Sequence, residues 1–368
     1  MAAPALAPLV APVRPAPAVG WGELALTRIG AALDRAMLTG MRLAFAEVLT
    51  PVDSIAFEET AQPYLDEALQ RDPRRFFAFL DAPADAPRAQ TLERREIPGG
   101  LIAVREIATE DYEPWHASAS WPACPENARI PLEHWRHRAG DARAVIIALH
   151  GFTMGRPFID GRVLMASQWF ARGYDVVMPI LPFHGIRAPS TTRYSGEAFG
   201  SWDVRRLNEA VRQAIHDIAT VRRWLAAESQ LPVGLVGLSL GGYLSALMAG
   251  LCSDLAFVVP VAAPSTLAWL PHRLFGLAAR AVRPPVAADV LDAAYRVHSP
   301  LTFPLAMPRE RAFIVGGLGD GVVPREQVEA LWRHWGEPAV HWFSGGHSTP
   351  FGRARVVARI DEHLRAVL

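Results

Sequence analysis

The sequence lacks three features that would narrow its function at once: a net charge, a cysteine framework and a long uninterrupted apolar run. Lysine plus arginine and aspartate plus glutamate number 37 each, so the formal net charge is zero. Binding to nucleic acid needs a basic surface that neutralises phosphates, and the overall charge does not supply one. The two cysteines, Cys124 and Cys252, match no metal-ligand spacing and require no disulfide. We therefore expect no nucleic-acid partner, no metal and no other cofactor.

The N-terminal region carries neither the pattern of a secretory signal nor that of a membrane span. Residues 1–20 are rich in alanine and proline and lack a basic n-region. Residues 21–50 are more apolar, but a membrane-spanning helix needs about 20 largely apolar residues in a row. Charged side chains interrupt this stretch at Arg28, Asp34, Arg35, Arg42 and Glu47. We expect a cytoplasmic protein without a membrane span.

Composition and patterning divide the chain into three parts. Residues 1–20 are predicted to form a flexible tail, residues 21–88 an N-terminal helical extension with a linker, and residues 89–368 the main domain. Hydrophobic residues make up 51% of the chain, which is enough for a sizeable core. At the start of the extension, apolar residues at helical spacing predict a helix: Leu24, Ile29, Leu33, Met37, Met41 and Phe45. Further helices are expected before the linker, with breaks near Pro63 and Pro73.

The main domain alternates short apolar runs with helical patterns. Two runs around Pro98-Gly99-Gly100 predict an antiparallel hairpin, and residues 127–138 predict a further strand. The later strands are predicted at residues 144–149, 176–181, 233–238, 255–259, 312–315 and 339–343. Helical patterns cover residues 160–172, 203–228, 240–252, 325–335 and 352–367. Runs that are apolar on both faces are typical of parallel strands covered by helices, so the fold class is predicted to be α/β, with a doubly wound, mostly parallel sheet.

One motif places a serine where a nucleophile would stand. Gly237-Leu238-Ser239-Leu240-Gly241 ends an apolar strand and opens a helix of small residues. A nucleophile on a sharp strand-to-helix turn needs small neighbours, because the chain doubles back on itself there. The N-terminus of the following helix would favour developing negative charge. The alternative interpretation is a tight turn with a capping serine.

Three further motifs follow the ends of other predicted strands. His150-Gly151-Phe152 comes after residues 144–149, and Asp320 lies in an Asp-Gly turn after residues 312–315. His347 follows Gly345-Gly346 on the loop before the last helix, where glycines permit a close approach. Because ligands bind at the carboxyl edge of such sheets, these side chains can meet there. An ordinary Asp-Gly turn and a strand-end histidine bonded to backbone remain the alternatives for Asp320 and His150.

The order of these motifs resembles that of the α/β-hydrolase superfamily, and the resemblance covers the main domain. It implies an α/β-hydrolase fold in which Ser239, Asp320 and His347 form a catalytic triad in the chain order serine, acid, histidine. It also implies that the backbone N–H groups of Phe152 and Leu240 form the oxyanion hole. Residues 264–308, which lack a clear strand, correspond to the position of a helical lid or cap.

Three residues are weaker candidates for contact with a substrate. His184 and Arg187 follow a predicted central strand, at the edge where loops carry function. A loop merely fixed by Pro182 and Gly185 accounts for them equally well. Trp269 lies in the apolar insertion and is placed near a pocket.

These residues predict a serine hydrolase that acts on a small-molecule carboxylic ester through an acyl-enzyme. The apolar insertion favours a hydrophobic acyl or aromatic group. Hydrolysis of amides, peptides or thioesters, and acyl transfer to another acceptor, use the same triad and remain open. A catalytically idle binding protein on this fold is disfavoured, because all three triad candidates are present. The sequence does not indicate an oligomeric state.

Overall fold

The computed structural model describes residues 20–44, 59–82, 85–109, 111–116, 124–138, 141–200, 204–269, 288–349 and 352–368. Its strands are β1 Ala89–Ile97, β2 Gly100–Ala108, β3 Arg129–His137, β4 Ala144–Leu149, β5 Tyr174–Pro179, β6 Val233–Leu238, β7 Val258–Val261, β8 Phe313–Gly317 and β9 Ala339–Phe343. Its α-helices are α1 Trp21–Ala44, α2 Glu67–Arg71, α3 Pro157–Val163, α4 Ala166–Ala171, α5 Val204–Glu228, α6 Leu240–Leu251, α7 Ala288–Tyr295, α8 Arg325–His334 and α9 Arg353–Val367.

The described strands form a single sheet in the order β1-β2-β3-β5-β4-β6-β7-β8-β9. The hairpin β1–β2 turns at Gly99, whose φ of 85° suits glycine. Strand β3 pairs antiparallel with β2 and β5, and every pairing from β5 to β9 is parallel. The predicted α/β class, with a mostly parallel sheet and an antiparallel edge, is therefore confirmed.

Helices cover both faces of the sheet, and strand β4 shows why its sequence is apolar throughout. Val145, Ile147 and Leu149 enter one core cluster together with residues of α5, α6 and α8. The alternate residues of β4, among them Ile146, enter the opposite cluster with residues of α4 and α9. Because successive side chains of a strand point to opposite faces, a strand buried on both faces has no polar position.

The side of helix α1 that packs against the protein is not the side that its apolar residues predict. Gly30, Asp34 and Leu38 are buried, whereas Ile29 and Leu33 are about half exposed, at 51% and 47%. The buried residues recur every four positions and so share one side of the helix. A small residue and a carboxylate thus occupy the packed side, which hydrophobic periodicity alone does not indicate.

A buried carboxylate on α5 joins segments that precede β3 to this helix. Glu209 accepts hydrogen bonds from the Tyr64 hydroxyl at 2.9 Å and the Tyr112 hydroxyl at 3.2 Å. It also accepts the backbone N–H groups of Trp115 and His116, at 3.0 and 3.2 Å. These donors stabilise a carboxylate that is fully removed from solvent.

Other predictions fall partly outside the described residues. The predicted tail lies outside them except for Gly20, and so do residues 270–287 of the insertion predicted at 264–308. The helix predicted over 160–172 is divided into α3 and α4, because Met165 between them has a positive φ of 60°. Among the described helices none is long and apolar enough to cross a bilayer.

Candidate active site

Ser239 stands on a sharp turn between β6 and α6. Its φ of 54° and ψ of −112° lie outside the regions that non-glycine residues normally occupy. Two neighbouring glycines make the turn feasible, because a Cβ on Gly237 would overlap the carbonyl of Gly241, and one on Gly241 would overlap that of Leu149. The Ser239 N–H donates to the carbonyl of Val261 at 2.8 Å, which fixes the turn against the next strand. Strained backbone of this kind concentrates at functional sites.

The structure brings Ser239, His347 and Asp320 together in one line of hydrogen bonds. The distance from Ser239 Oγ to His347 Nε2 is 2.9 Å, and that from His347 Nδ1 to Asp320 Oδ2 is 2.8 Å. The second oxygen of Asp320 accepts the N–H groups of Val322 and Val323, at 2.9 and 2.7 Å. The carboxylate is thereby held in place by its own turn, and it orients the imidazole toward the serine.

The surroundings of His347 favour its protonated form. Burial of the imidazole opposes protonation, but the charge of Asp320, its hydrogen bond and the charge of Asp34 outweigh burial and raise the pKa of His347 above its ordinary value. A base of this kind can take a proton from Ser239 and keep it while a reaction proceeds.

The loop after β4 lies beside the serine. A Cβ on Gly151 would be 3.5 Å from the Cβ of Ser239, and Phe152 lines the same cavity. Leu240 is the first residue of α6, where backbone N–H groups have no partner within the helix. The residues predicted to supply the two oxyanion donors therefore flank Ser239 on two sides.

His150 anchors this loop and stands outside the line of hydrogen bonds around Ser239. Its Nε2 accepts the N–H of Leu181 at 3.0 Å, so its Nδ1 carries the proton and donates to the carbonyl of Gly151 at 2.9 Å. Burial lowers the pKa of His150 to about 4, which keeps the ring neutral. It therefore holds the loop, as the strand-end interpretation expects.

An apolar cavity of about 340 Å³ opens beside Ser239 and His347. This volume lies in the range of small-molecule sites, which is about 300–1,000 Å³. Apolar side chains from the sheet, from α4 and the residues just before it, and from α9 line it, and they include Leu164, Trp169, Val236, Phe343, Val357 and Ile360. Met37 of α1 and Arg353 also line it. Within the described residues, no three metal-ligating side chains are grouped so as to hold a metal ion.

The structure does not bring the three weaker candidates to this cavity within the described part of the chain. Arg187 is fully buried and pairs with Asp217 at 2.7 Å. His184 is fully buried against the rings of His150 and Phe152, and burial lowers its pKa to about 3. Both fix the loop that follows β5, since Arg187 donates to the carbonyl of Ile180 at 2.8 Å and His184 Nδ1 lies 2.8 Å from the carbonyl oxygen of Pro182. Trp269 is half-buried, next to residues that are not described.

One residue at the site was missed by the sequence analysis. Asp34 of α1 is fully buried and accepts hydrogen bonds from the backbone of the loops that carry Asp320 and His347. The sequence holds only one hint of it, a carboxylate spaced four residues after Gly30 and four before Leu38 within a helical pattern.

Residues 145–358 match the family model described as serine hydrolase (FSH1). This segment includes Ser239, Asp320 and His347 and excludes α1. The chain belongs to the FSH1 serine hydrolase family. It is also 35% identical over 245 residues to an uncharacterized protein of Mycobacterium tuberculosis, found in two strains. That match covers 66% of this chain and 58% of the relative, so the chain spans less than two thirds of the relative's length.

Solved structures agree on the fold of this family member. An acetyl xylan esterase from Paenibacillus sp. R4 superposes with a TM-score of 0.59 at 12% identity, covering 82% of this chain and 95% of that one. Acetyl xylan esterase 1 from Thermoanaerobacterium sp. JW/SL YS485 gives 0.53 at 15% identity, covering 85% and 95%. At such identities the likeness concerns the fold alone, and it is the α/β-hydrolase fold.

Proposed function

We propose that this family member hydrolyses carboxylic esters of small molecules through an acyl-enzyme on Ser239. The observation that carries the proposal is the pair of hydrogen bonds from Ser239 Oγ to His347 Nε2, 2.9 Å, and from His347 Nδ1 to Asp320 Oδ2, 2.8 Å. A nucleophile, a base and an orienting acid in this geometry are the requirements for acyl transfer.

In each step of the proposed reaction, a named group accepts or donates the proton. His347 Nε2 accepts the Ser239 proton as Oγ attacks the acyl carbon, and the N–H groups of Phe152 and Leu240 donate to the oxyanion. The ester C–O bond then breaks, and the leaving alkoxide takes the proton from His347 Nε2. A water molecule gives its proton to His347 and attacks the acyl-enzyme, and Ser239 recovers the proton when the acid departs. Asp320 remains ionised and stabilises the imidazolium in both halves.

The cavity supports a hydrophobic acyl group as the part of the substrate that is recognised. Most of the side chains that line it are apolar, and burying an apolar chain against them is favourable by about 25 cal/mol per Å². Residues 264–308 are proposed to contribute a cap over the opening. A carboxylic ester with a medium or long acyl chain is therefore the proposed substrate class.

Labelling with a fluorophosphonate probe tests the nucleophile. The wild-type protein is expected to be labelled on Ser239, and the variant Ser239→Ala to remain unlabelled. Ser253→Ala, at an exposed position after α6, serves as the matched control and should be labelled like the wild type. Labelling that persists in Ser239→Ala would refute the assignment.

A substrate panel then tests the bond and the acyl chain. We expect p-nitrophenyl esters from acetate to dodecanoate to be cleaved, with kcat/KM rising along the series until the cavity is filled. Matched thioesters and anilides with the same acyl group compare the alternative bonds, and an added alcohol acceptor detects acyl transfer. Faster turnover of an anilide than of its ester would replace the ester proposal by an amide hydrolase.

A further inference from the structure

We propose that Asp34 of helix α1 is a positioning residue of this site, which fixes the loop of His347 to the loop of Asp320. The inference rests on the proposed function, since positioning has meaning only if His347 is the catalytic base. It makes α1, which lies outside the family-model match, a working part of the active site.

The hydrogen bonds of Asp34 connect the two loops directly. Its Oδ2 accepts the N–H of Gly321, the residue after Asp320, at 2.9 Å. The same oxygen accepts the N–H of His347 at 2.5 Å, and Oδ1 accepts the N–H of Ser348 at 3.1 Å. One carboxylate thus holds the backbone of both loops, the one that carries Asp320 and the one that carries His347. Such bonds to an ionised acceptor are roughly twice as strong as neutral ones.

Burying Asp34 costs the hydration energy of its carboxylate, and other interactions must offset this loss. The side chain is fully buried, and the hydrogen bonds described for it come from three backbone N–H groups. An isolated buried carboxylate is tolerated only when hydrogen bonds or a nearby cation offset the loss of hydration. Three backbone N–H groups supply the hydrogen bonds, and the imidazolium that forms on His347 supplies the nearby cation.

Close packing of backbone keeps Asp34 at this position. A Cβ on Gly319 would overlap the carbonyl of Thr27, and one on Gly346 would lie against Gly30 of the same helix. Both loops therefore present glycine where α1 approaches. Glycines at successive close approaches allow the helix to dock at a depth that larger residues would prevent.

Among the residues that the structure describes, few charged groups face His347, so the contribution of Asp34 can be separated from the others. Asp320 faces it from the loop after β8, Asp34 from α1, and Arg353 from the start of α9 across the shared cavity. On α1 itself, Arg28 and Arg35 lie on the exposed side. Removing the charge of Asp34 therefore leaves Asp320 as the carboxylate that stabilises the imidazolium.

The test compares Asp34→Asn with Glu23→Gln in the full-length protein. Each variant removes one carboxylate of α1, but Glu23 lies about 16 Å from Asp34 along the helix axis. The readout is the pH dependence of kcat/KM for a short-chain ester, together with the rate of fluorophosphonate labelling. In Asp34→Asn the acidic limb should move to lower pH by about half a unit, because imidazolium loses a stabilising charge. Glu23→Gln should follow the wild-type curve.

A second pair of variants separates charge from alignment. Asp34→Ala removes both acceptor oxygens and with them all three hydrogen bonds, and kcat should fall about 10- to 100-fold with KM within about twofold of the wild type. Asp34→Glu keeps the charge but misplaces the oxygens, so kcat should fall while the midpoint of the acidic limb stays. If Asp34→Asn does not fold, as judged by circular dichroism, Asp34→Ser replaces it with the same readouts.

The two proposals fail in different ways. Absence of labelling on Ser239 in the wild type would refute the proposed function and with it this inference. Normal labelling of the wild type, combined with an Asp34→Asn profile that superposes on the wild-type profile, would refute the role of Asp34 alone.

Discussion

Gly30 of α1 and Gly346 of the loop before His347 are in backbone contact, since a Cβ on Gly30 would overlap the amide nitrogen of Gly346. For Gly22 of the same helix, no heavy atom of the described residues beyond its own stretch of helix lies within 4 Å of such a Cβ. We therefore expect opposite effects when each of these two glycines is replaced, although both lie in the same helix. One is required by a neighbour, and the other only weakens the helix.

Replacing each glycine by alanine tests this contact. Gly22→Ala should leave kcat unchanged and raise the free energy of unfolding by up to about 1 kcal/mol, because alanine has the better helix propensity. Gly30→Ala should lower both kcat and the free energy of unfolding, because α1 or the His347 loop must move. Thermal unfolding and ester turnover are the measurements. Equal behaviour of the two variants would mean that the contact has no consequence.

Asp320→Asn should lower kcat by about four orders of magnitude, because an amide favours the wrong tautomer of His347. The variant should retain its fold, since asparagine keeps the shape of the turn. Asp254→Asn is the control, because that carboxylate is exposed and bonds only Arg222 among the partners described. Turnover within tenfold of the wild type in Asp320→Asn would direct the search to another acid.

The pH dependence of kcat/KM should follow His347, which acts only in its neutral form. Because the pKa of His347 is raised, activity should be lost on the acidic side with a midpoint above about 6.5, the ordinary value for histidine. The measurement is a pH–rate profile with an ester that carries no ionisable group. A midpoint below the ordinary value would contradict the electrostatic account.

Filling the cavity should change the preferred acyl length. Val357 of α9 lines the cavity, so Val357→Phe should lower kcat/KM for the longest esters at least tenfold and leave acetate within about twofold. Ala358→Phe adds the same ring at the next, exposed position and should leave the series unchanged. A uniform loss across all chain lengths in Val357→Phe would instead indicate a disturbed fold.

The buried pair of Arg187 and Asp217 should matter for stability alone. Arg187→Met leaves the carboxylate of Asp217 buried without its partner, and the free energy of unfolding should fall by about 3–5 kcal/mol. The double variant with Asp217→Leu should recover most of that loss. Urea unfolding gives the comparison. A role of Arg187 in substrate binding would instead appear as a raised KM in a protein of normal stability.

Local sequence predicted the sheet well where a strand coincides with its apolar run, as in β4 and β6. It was less accurate for β5, which begins at Tyr174 and ends at Pro179. The polar residue Asp175 belongs to that strand because it pairs with Val145 of β4. Its carboxylate is buried there and accepts the N–H of His137 at 2.8 Å. Ile180 and Leu181 are apolar because they are buried beyond the end of the strand.

The geometry at Ser239 could be anticipated because each motif follows the end of its own strand. Asp34 could not be, since nothing near it in the sequence indicates which backbone groups its carboxylate meets. Its partner His347 is 313 residues away. Apolar spacing also points to Ile29 and Leu33, whereas close approach to glycines selects the other side of α1.

The separation between Asp34 and His347 has a consequence for biosynthesis. Chains emerge from the ribosome from the N-terminus, and contacts between distant residues form late because a large loop must be closed first. Helix α1 can therefore pack only after the whole sheet has been synthesised, because the loops that carry Gly319 and Gly346 do not exist before then. A nascent chain that ends before residue 347 can hold a folded Ser239 turn and yet remain inactive. Catalytic competence should thus appear only after residue 347 has been synthesised and its loop has met α1.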